Sequence, residues 1–168
     1  MSNAATDHSE RPEGFARVAR ALAQAGHPHA PLWLAVAART AQEAADALGV
    51  QLGQIAKSVV FRRRADDRAV LVVASGDRRI DERKLVALSG PLGRADAAFV
   101  KASTGFAIGG VAPLAHSRPP LVYLDRALQR FDDIWAAAGH PNGVFKLSPQ
   151  QLQRLTGAPL VDVASADG

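Results

Sequence analysis

The sequence predicts a single α+β domain in which helices surround a mixed β-sheet. Apolar residues near the N-terminus recur at helical spacing, at Phe15, Val18, Ala19 and Leu22. Further along, residues 69–74 are apolar throughout, which is typical of a strand buried on both faces. At 168 residues the chain is long enough to bury one core, and neither a repeat nor a linker divides it. Both kinds of element therefore belong to one domain.

Capping residues mark where the helices begin and end. Thr40 and Glu43 form a capping box, and Gly49 closes the helix that they open. Ser148 and Gln151 repeat the pattern near the C-terminus, with a proline at the first helical position. The predicted helices cover residues 15–22, 40–48, 81–88, 96–103 and 148–156.

Short apolar runs bounded by turn residues predict the strands. Asn142-Gly143 is a strong hairpin signal between the two runs that flank it. One run, residues 105–108, begins as a strand, breaks at the glycine pair 109–110 and cannot continue past Pro113 as a central strand. The predicted strands cover residues 32–36, 55–61, 68–74, 105–108, 121–124, 134–138, 144–147 and 160–163.

Composition narrows the class of protein. The chain has no cysteine, which excludes disulfides and thiolate chemistry. No apolar run reaches the roughly 18 residues of a membrane helix and no signal-peptide pattern opens the chain. We therefore expect a cytoplasmic protein without a membrane partner. The net charge of +4 favours an anionic partner. We predict a disordered segment over residues 1–11 and a folded domain over residues 12–168.

Common catalytic motifs are absent from the sequence. It contains no Gly-x-Ser-x-Gly elbow, no phosphate-binding Gly-Lys-Thr loop, no His-Glu-x-x-His and no dinucleotide glycine fingerprint. The carboxylate pairs 66–67 and 132–133 are adjacent in sequence, so they point apart or toward solvent and make no catalytic dyad. We therefore expect neither a metal nor another cofactor.

The glycine pair at residues 109–110 is the first candidate for a functional site. Adjacent glycines adopt positive φ without strain and carry no side chain, so their N–H groups stay open to a ligand. Such a cradle suits a phosphate, a carboxylate or the oxyanion of an ester under attack. The alternative is a tight turn with no chemical role.

Lys57 is the second candidate, because it interrupts an apolar strand in a chain with four lysines among its 20 basic residues. Alternation predicts that it shares a face with Val59 and Phe61. The alternative is an edge lysine whose stem packs while its ammonium reaches solvent. His116 and His140 lie close to turn residues, where a histidine without a chemical role is the alternative for both.

Three pieces of sequence carry a resemblance to a known family. They are Gln54-Ile-Ala-Lys-Ser-Val-Val-Phe61, Thr104-Gly-Phe-Ala-Ile-Gly-Gly-Val-Ala-Pro113, and Ala138-Gly-His-Pro-Asn-Gly-Val-Phe-Lys-Leu147 followed by Ser148-Pro149. From about residue 40 to residue 163 the chain resembles the YbaK/prolyl-tRNA synthetase-associated domain family. Its members are free-standing relatives of the editing domain inserted in bacterial prolyl-tRNA synthetases. The resemblance implies a strongly curved mixed sheet flanked by helices.

The resemblance also implies deacylation of mischarged tRNA and a set of site residues. Catalytic roles fall to Lys57, Gly109 and Gly110. The residues expected to line the pocket for the aminoacyl adenosine are Ser58, Phe106, Val111, Ala112, Pro113, His116, His140 and Asn142. The expected partners are the 3′ end and acceptor stem of an aminoacyl-tRNA, with a prolyl-tRNA synthetase as a further candidate. The candidate contacts to the stem are Arg62, Arg63 and Arg64.

The chemistry of an aminoacyl ester fits these residues. Such an ester is already activated, so hydrolysis needs positioning and oxyanion stabilisation more than a strong nucleophile. The glycine N–H groups supply that stabilisation, Lys57 counters charge or holds the ribose or phosphate, and the substrate's 2′-hydroxyl helps to activate water. We expect a small amino acid such as alanine, serine, threonine, cysteine or 2-aminobutyrate on the proline tRNA. Two other classes stay open, a non-catalytic tRNA- or nucleotide-binding module that recruits a synthetase and a small-molecule esterase.

Overall fold

The computed structural model describes residues 11–165 of the chain. Its helices are α1 (Glu13–Gln24), α2 (Ala41–Leu48), α3 (Glu82–Ser89), α4 (Ala97–Thr104) and α5 (Pro149–Thr156). Its strands are β1 (Leu32–Trp33), β2 (Ile55–Arg63), β3 (Ala69–Ser75), β4 (Leu92–Gly93), β5 (Leu121–Asp125), β6 (Ile134–Ala137), β7 (Gly143–Leu147) and β8 (Leu160–Val161). The predicted disorder of residues 1–11 lies outside the described residues except for Arg11, and so does the end of the predicted domain at residues 166–168.

The strands of the described residues form one mixed sheet. Its order is β1-β7-β6-β2-β3-β5-β8, and β4 pairs with the end of β2. β2 is antiparallel to β3, and β7 is antiparallel to both β1 and β6. β2 is parallel to β6, and β5 is parallel to both β3 and β8. The parallel neighbours are far apart in sequence, because a parallel pair needs a long crossover connection. The predicted α+β class with a mixed sheet is confirmed.

β3 lies inside the sheet and is buried along its whole length, as its sequence predicts. Leu71 and Val73 pack into the main core, which also contains the apolar face of α1. Val70 and Val72 pack into a smaller core beneath α3. Alternate residues of a strand face opposite sides, so a strand covered on both faces is apolar along most of its length, and in β3 only the terminal Ser75 is polar.

The two capping boxes form as predicted. The Glu43 N–H donates to the Thr40 hydroxyl at 3.1 Å, and the Glu43 carboxylate accepts from the Thr40 N–H at 3.2 Å. Ser148 and Gln151 make the equivalent pair of bonds at the start of α5. A side-chain cap of this kind stabilises a helix by about 1 kcal/mol. The first box fixes the start of α2, which lines the candidate site described below.

Residues 105–108 do not form a strand, which corrects the prediction. α4 ends at Thr104, and Gly105 follows in the left-handed region with φ +83°. The Thr104 hydroxyl accepts a hydrogen bond from the Phe106 N–H at 3.0 Å, which turns the chain. The Phe106 side chain is then 1% exposed in the main core, while Ile108 is 58% exposed. In this short apolar run Phe106 packs into the core and Ile108 lies at the surface, so the run resembles a strand only in composition.

Other differences from the strand prediction concern boundaries and one additional strand. β1 ends at Trp33 because the next residues bond to a turn: the Leu34 N–H donates to the Asn142 carbonyl at 2.6 Å. β8 ends at Val161 rather than at residue 163. β4 is a strand that the sequence did not predict, since two residues paired with the end of β2 leave no periodic pattern.

Candidate functional site

A cavity opens where β2 and β6 part. The two parallel strands pair at two positions, the second of which joins Ala56 to Ala136. β2 next pairs on that side at Arg62, with β4, so residues 57–61 have no strand beside them there. The gap leads into a cavity of about 370 Å³, a size typical of small-ligand sites.

Small side chains make up much of the cavity wall. The alanines that line it are Ala38, Ala41, Ala44, Ala56, Ala136 and Ala137. The polar side chains come from β2, the start of α2 and the turn before β7, and they are Arg39, Thr40, Lys57, Ser58 and His140. Gly109, Ile108, Val111 and Trp135 also line the cavity. Walls of this kind leave room beside a few polar groups for a small side chain.

Lys57 is the cavity's cation on β2. It is partly buried, and its ammonium makes no hydrogen bond or ion pair with any of residues 11–165. The other lysines of the described chain have such partners: Lys84 bonds to Asp162, Lys101 to the Gly105 carbonyl and Lys146 to Asp133. An unpaired ammonium at a cavity wall is suited to an anionic or strongly polarised ligand group.

Ser58 follows Lys57 and also lines the cavity. Its hydroxyl oxygen is buried and has no hydrogen-bond partner among the described residues. A buried hydroxyl without a partner costs about 1–3 kcal/mol, so proteins rarely retain one without a reason. The hydroxyl is therefore a candidate for bonding a ligand.

The loop between α4 and β5 forms another wall and is anchored by α1. The Arg17 guanidinium donates to the Ala115 carbonyl at 2.9 Å and to the Thr104 carbonyl at 3.2 Å. It also lies 4.3 Å from the centre of the Phe106 ring. One side chain thus joins two points of the main chain that lie on either side of Gly109.

The two glycines of the pair have different environments. Gly109 has φ +94° and lines the cavity. The Gly110 N–H donates to the Ala107 carbonyl at 3.0 Å, and its φ is not positive. A Cβ at Gly110 would lie 2.7–2.8 Å from the main chain of His140. The expectation that both glycines take positive φ and keep open N–H groups is therefore wrong for Gly110, whose missing side chain instead lets the loop approach the turn at residue 140.

His140 enters the cavity from that turn. Its ring is stacked on Trp33, with centroids 4.9 Å apart and an angle of 28°. Its Nδ1 accepts the Asn142 N–H at 3.0 Å, which leaves Nε2 as the protonated nitrogen of the neutral ring. Burial, and then the positive charge of Arg39, lower the pKa of His140 below its ordinary value. The neutral ring can therefore donate a hydrogen bond from Nε2.

The remaining predicted pocket residues lie outside the cavity lining. Phe106 and Ala112 are buried in the main core, and Pro113 is buried beside them. His116 donates through Nε2 to the Ala112 carbonyl at 2.7 Å, and burial lowers its pKa. Asn142 acts through the turn, since its side-chain amide donates to the Leu34 carbonyl at 2.8 Å. These residues support the cavity walls from behind.

The three arginines predicted to contact tRNA lie near the far end of β2. Lys57 and Arg63 are six strand residues apart, which is about 20 Å. Arg63 donates twice to Asp66, at 3.0 and 2.7 Å, and this hydrogen bonding lowers the pKa of Asp66 to about 2. Arg62 lies 3.6 Å from Asp67, and Arg64 donates to a main-chain carbonyl of β4. All three guanidiniums thus have partners within the fold.

Sequence reasoning missed several residues of the site. Arg39 and Thr40 reach it because the capping box sets the start of α2 there, and the sequence marked the helix start but not its neighbour. Trp135 reaches it through the short pairing of β6 with β2. Ile108 was assigned to a strand, and its high exposure at a cavity rim is visible only in the fold.

The described residues hold no group of three or more histidine, cysteine, aspartate or glutamate side chains that could bind a metal ion. No helix among them is both long and apolar enough to cross a membrane.

The fold is a single α+β domain with a small cavity beside its mixed sheet, and comparison with known proteins identifies the family to which it belongs. The chain is similar to a solved structure of a proposed trans-editing enzyme for prolyl-tRNA synthetase, with a TM-score of 0.86 and 39% identity. The alignment covers 92% of this chain and 99% of that one. Residues 35–155 match the family model of the aminoacyl-tRNA editing domain. The chain belongs to this family, which confirms the resemblance identified from the sequence.

Two curated relatives add to the comparison. The YwhH protein of Bacillus subtilis (strain 168), whose function is uncharacterised, is 38% identical over 118 residues. That match covers 70% of this chain and 74% of YwhH. EbsC of Enterococcus faecalis (strain ATCC 700802 / V583), proposed as a Cys-tRNA(Pro)/Cys-tRNA(Cys) deacylase, is 25% identical over 130 residues. That match covers 76% of this chain and 79% of EbsC.

Proposed function

We propose that this editing domain acts in trans as an aminoacyl-tRNA deacylase, with Lys57 as its central catalytic group. The observation that carries the proposal is the unpaired Lys57 ammonium in a cavity that is also lined by Ser58, whose hydroxyl is buried without a partner, and by Gly109. An ammonium near the ester carbonyl stabilises the negative charge that develops on its oxygen as water attacks. The Gly109 N–H is the candidate for a second donor to that oxygen.

The proposed reaction is hydrolysis of the bond between the amino acid and the terminal ribose. The oxygen of water bonds to the carbonyl carbon, the bond from that carbon to the ribose oxygen breaks, and a proton from water passes to the ribose oxygen. The neighbouring ribose hydroxyl helps to activate the water, so the lack of a dedicated carboxylate base in the cavity is tolerated. Positioning and electrostatic stabilisation supply the acceleration.

The proposed substrates carry small amino acids. A cavity of about 370 Å³ that must also admit part of the terminal ribose excludes bulky side chains by overlap with its walls. Each methylene separating two candidates is worth only about 1–3 kcal/mol in a hydrophobic pocket, so discrimination among small residues is graded. A hydrogen bond from Ser58 or His140 to a substrate hydroxyl or thiol would favour serine, threonine or cysteine over alanine.

The proposed physiological substrate is the proline tRNA carrying a small wrong residue, in the cytoplasm. The similarity to the proposed trans-editing enzyme for prolyl-tRNA synthetase, and to EbsC, supports this choice. Prolyl-tRNA synthetase is accordingly a candidate partner. We further propose that hydrolysis needs no metal, so that the rate survives exhaustive treatment with EDTA; loss of activity restored by zinc would contradict this.

A panel of aminoacyl-tRNAs tests the proposal. Proline tRNA charged with alanine, serine, threonine, cysteine, 2-aminobutyrate or proline is incubated with the protein, and release of the amino acid is followed together with tRNA binding. We expect hydrolysis of at least one small mischarged ester and little of prolyl-tRNA. Tight binding of tRNA without hydrolysis of any of the esters would favour the non-catalytic binding module instead.

A further inference from the structure

The turn that carries His140 is attached to a segment of chain outside the part matched by the editing-domain family. That match begins at residue 35, whereas α1 and β1 precede it. β1 pairs with the start of β7, with Trp33 opposite Gly143. The Leu34 N–H and carbonyl both bond to Asn142, at 2.6 and 2.8 Å. The main chain that carries Trp33 is therefore fixed to the turn that carries His140.

The side chains continue this attachment. The indole of Trp33 is stacked on the His140 imidazole, with centroids 4.9 Å apart and planes 28° apart. The indole is held in turn by the edge of Phe15, at 5.2 Å and 87°, and by the Arg11 guanidinium, 4.5 Å from its ring centre. Phe15 is 1% exposed and belongs to the main core, so the Trp33 indole packs directly against that core.

A histidine ring in a turn keeps two freedoms, rotation of the ring and choice of tautomer. The Asn142 N–H fixes the tautomer through Nδ1. Among the described residues, Nε2 makes no hydrogen bond. Rotation of the ring is limited by this hydrogen bond and by the indole that lies against it, since aromatic pairs have preferred geometries.

We propose that Trp33 is a positioning residue of the editing site, which holds the His140 ring so that Nε2 meets the substrate in the cavity. The inference rests on the proposed deacylase function, because it assigns His140 a contact with the aminoacyl ester. It also gives α1 and β1 a role that the family match does not contain. Loss of the indole removes the stacked face that holds the ring in addition to the Asn142 N–H, so the site is present and less well aligned.

The series Trp33→Phe and Trp33→Leu tests the proposal, with Leu32→Ala as the matched control on the same strand. Leu32 is 49% exposed and lies outside the cavity lining. Nuclear magnetic resonance of the His140 ring reports the stack independently of activity, because an indole displaces the signals of protons on a ring stacked against it. We expect the displacement to shrink in the phenylalanine variant and vanish in the leucine variant, with a second tautomer appearing.

Deacylation of the preferred mischarged tRNA is measured in parallel. We expect kcat/KM to fall about ten-fold or more in Trp33→Leu, to be partly restored in Trp33→Phe and to be unchanged in Leu32→Ala. Unchanged His140 signals, or changed signals with wild-type kinetics, would overturn the proposal. If the leucine variant does not fold, the comparison of wild type with Trp33→Phe decides. If wild type hydrolyses no ester, the deacylase proposal fails, and the positioning role of Trp33 fails with it. The resonance signals of the His140 ring still show in that case whether the ring is stacked on Trp33.

Discussion

Gly14 and Gly139 pack main chain against main chain. A Cβ built on Gly14 would overlap the carbonyl oxygen of Gly139, and a Cβ built on Gly139 would overlap the carbonyl oxygen of Gly14. The first belongs to α1 and the second precedes His140, so this contact sets how closely the N-terminal helix approaches the turn of the site. Gly110 approaches the same turn from the opposite loop, where a Cβ would overlap the His140 main chain.

Gly14→Ala should destabilise the protein, although alanine is the better helix former. In an open helix the exchange would stabilise by about 1 kcal/mol, whereas overlap with a main-chain oxygen costs about 1–3 kcal/mol. We expect a net loss in the free energy of unfolding and lower deacylase activity, because α1 must move away from the turn. Urea denaturation measures the free energy of unfolding, and the deacylation assay measures the activity.

Gly93→Ala is the control for Gly14→Ala, since its Cβ would meet its neighbours at 3.7–3.8 Å, which is ordinary contact. It should change stability by no more than about 0.5 kcal/mol. Equal stability of the Gly14→Ala variant and wild type would show that the helix and turn do not need this approach.

Lys57→Ala should abolish most deacylation while leaving the fold intact. The ammonium has no partner among residues 11–165, so its removal breaks no ion pair that stabilises the native state. Loss of one group that stabilises the developing charge costs about 100-fold or more in kcat. Single-turnover deacylation and thermal unfolding measure the two effects.

Lys84→Ala is the control for this change, because Lys84 is a partly exposed lysine of α3 that pairs with Asp162 away from the cavity. Its activity should equal that of wild type. Near wild-type turnover in Lys57→Ala would remove Lys57 from the mechanism.

The sequence predicted the helices and most strands because their signals are local. Thr40 and Ser148 bond to residues three positions away, so a capping box is complete within four residues of sequence. β3 is apolar from residue 69 to residue 74 because both of its faces are covered. The predicted strand at residues 105–108 was wrong because composition does not reveal that the Thr104 hydroxyl bonds to the Phe106 N–H and turns the chain after α4.

The site was only partly predictable because its geometry comes from contacts distant in sequence. Lys57 stood out as a lysine in an apolar strand, the family resemblance gave roles to Lys57 and His140, and both line the cavity. Trp33 is 107 positions from His140, and no local pattern connects them. Likewise the Gly110 N–H donates to the Ala107 carbonyl within a turn, and the presence of two adjacent glycines in a sequence does not reveal that bond.

Neutralising Arg62 and Arg64 together tests the predicted contact with the acceptor stem. If both contact phosphates, Arg62→Gln/Arg64→Gln should weaken tRNA binding and lower the slope of log K against log salt by about 1–2. Arg63 is left intact because its paired bonds to Asp66 are part of the β2–β3 hairpin. Arg154→Gln on α5 is the exposed control. A salt titration identical to that of wild type would transfer tRNA recognition to another surface.

Stability should fall in mild acid, in part through His116. Burial lowers the pKa of His116 in the native state, whereas in the unfolded chain it returns to about 6.5. The unfolded state therefore binds more protons below about pH 6.5, and the free energy of unfolding falls as the pH drops from there toward the native pKa. His140 contributes with the same sign, since its pKa is also lowered.

Urea unfolding at about pH 7.5 and about pH 5.5 measures this dependence. His116→Asn should lose less stability between the two values than wild type, and should keep the part due to His140. His29→Asn, an exposed histidine, should behave as wild type. The same loss in His116→Asn as in wild type would mean that the burial of His116 does not affect the acid sensitivity.

Ser58→Ala should make the protein more stable and a poorer enzyme. The Ser58 hydroxyl is buried without a partner, so its removal relieves a cost of about 1 kcal/mol or more. Ser89→Ala is the matched control, because that buried hydroxyl lies within hydrogen-bond distance of the Leu85 and Gly90 carbonyls, at 3.1 and 3.0 Å, and its loss should destabilise. If Ser58 bonds the substrate's side-chain hydroxyl, seryl and threonyl esters should lose about ten-fold in kcat/KM, while alanyl ester changes little. An equal loss for all three esters would instead assign Ser58 to the ester or the ribose, and no loss for any would mean that the buried hydroxyl serves no substrate.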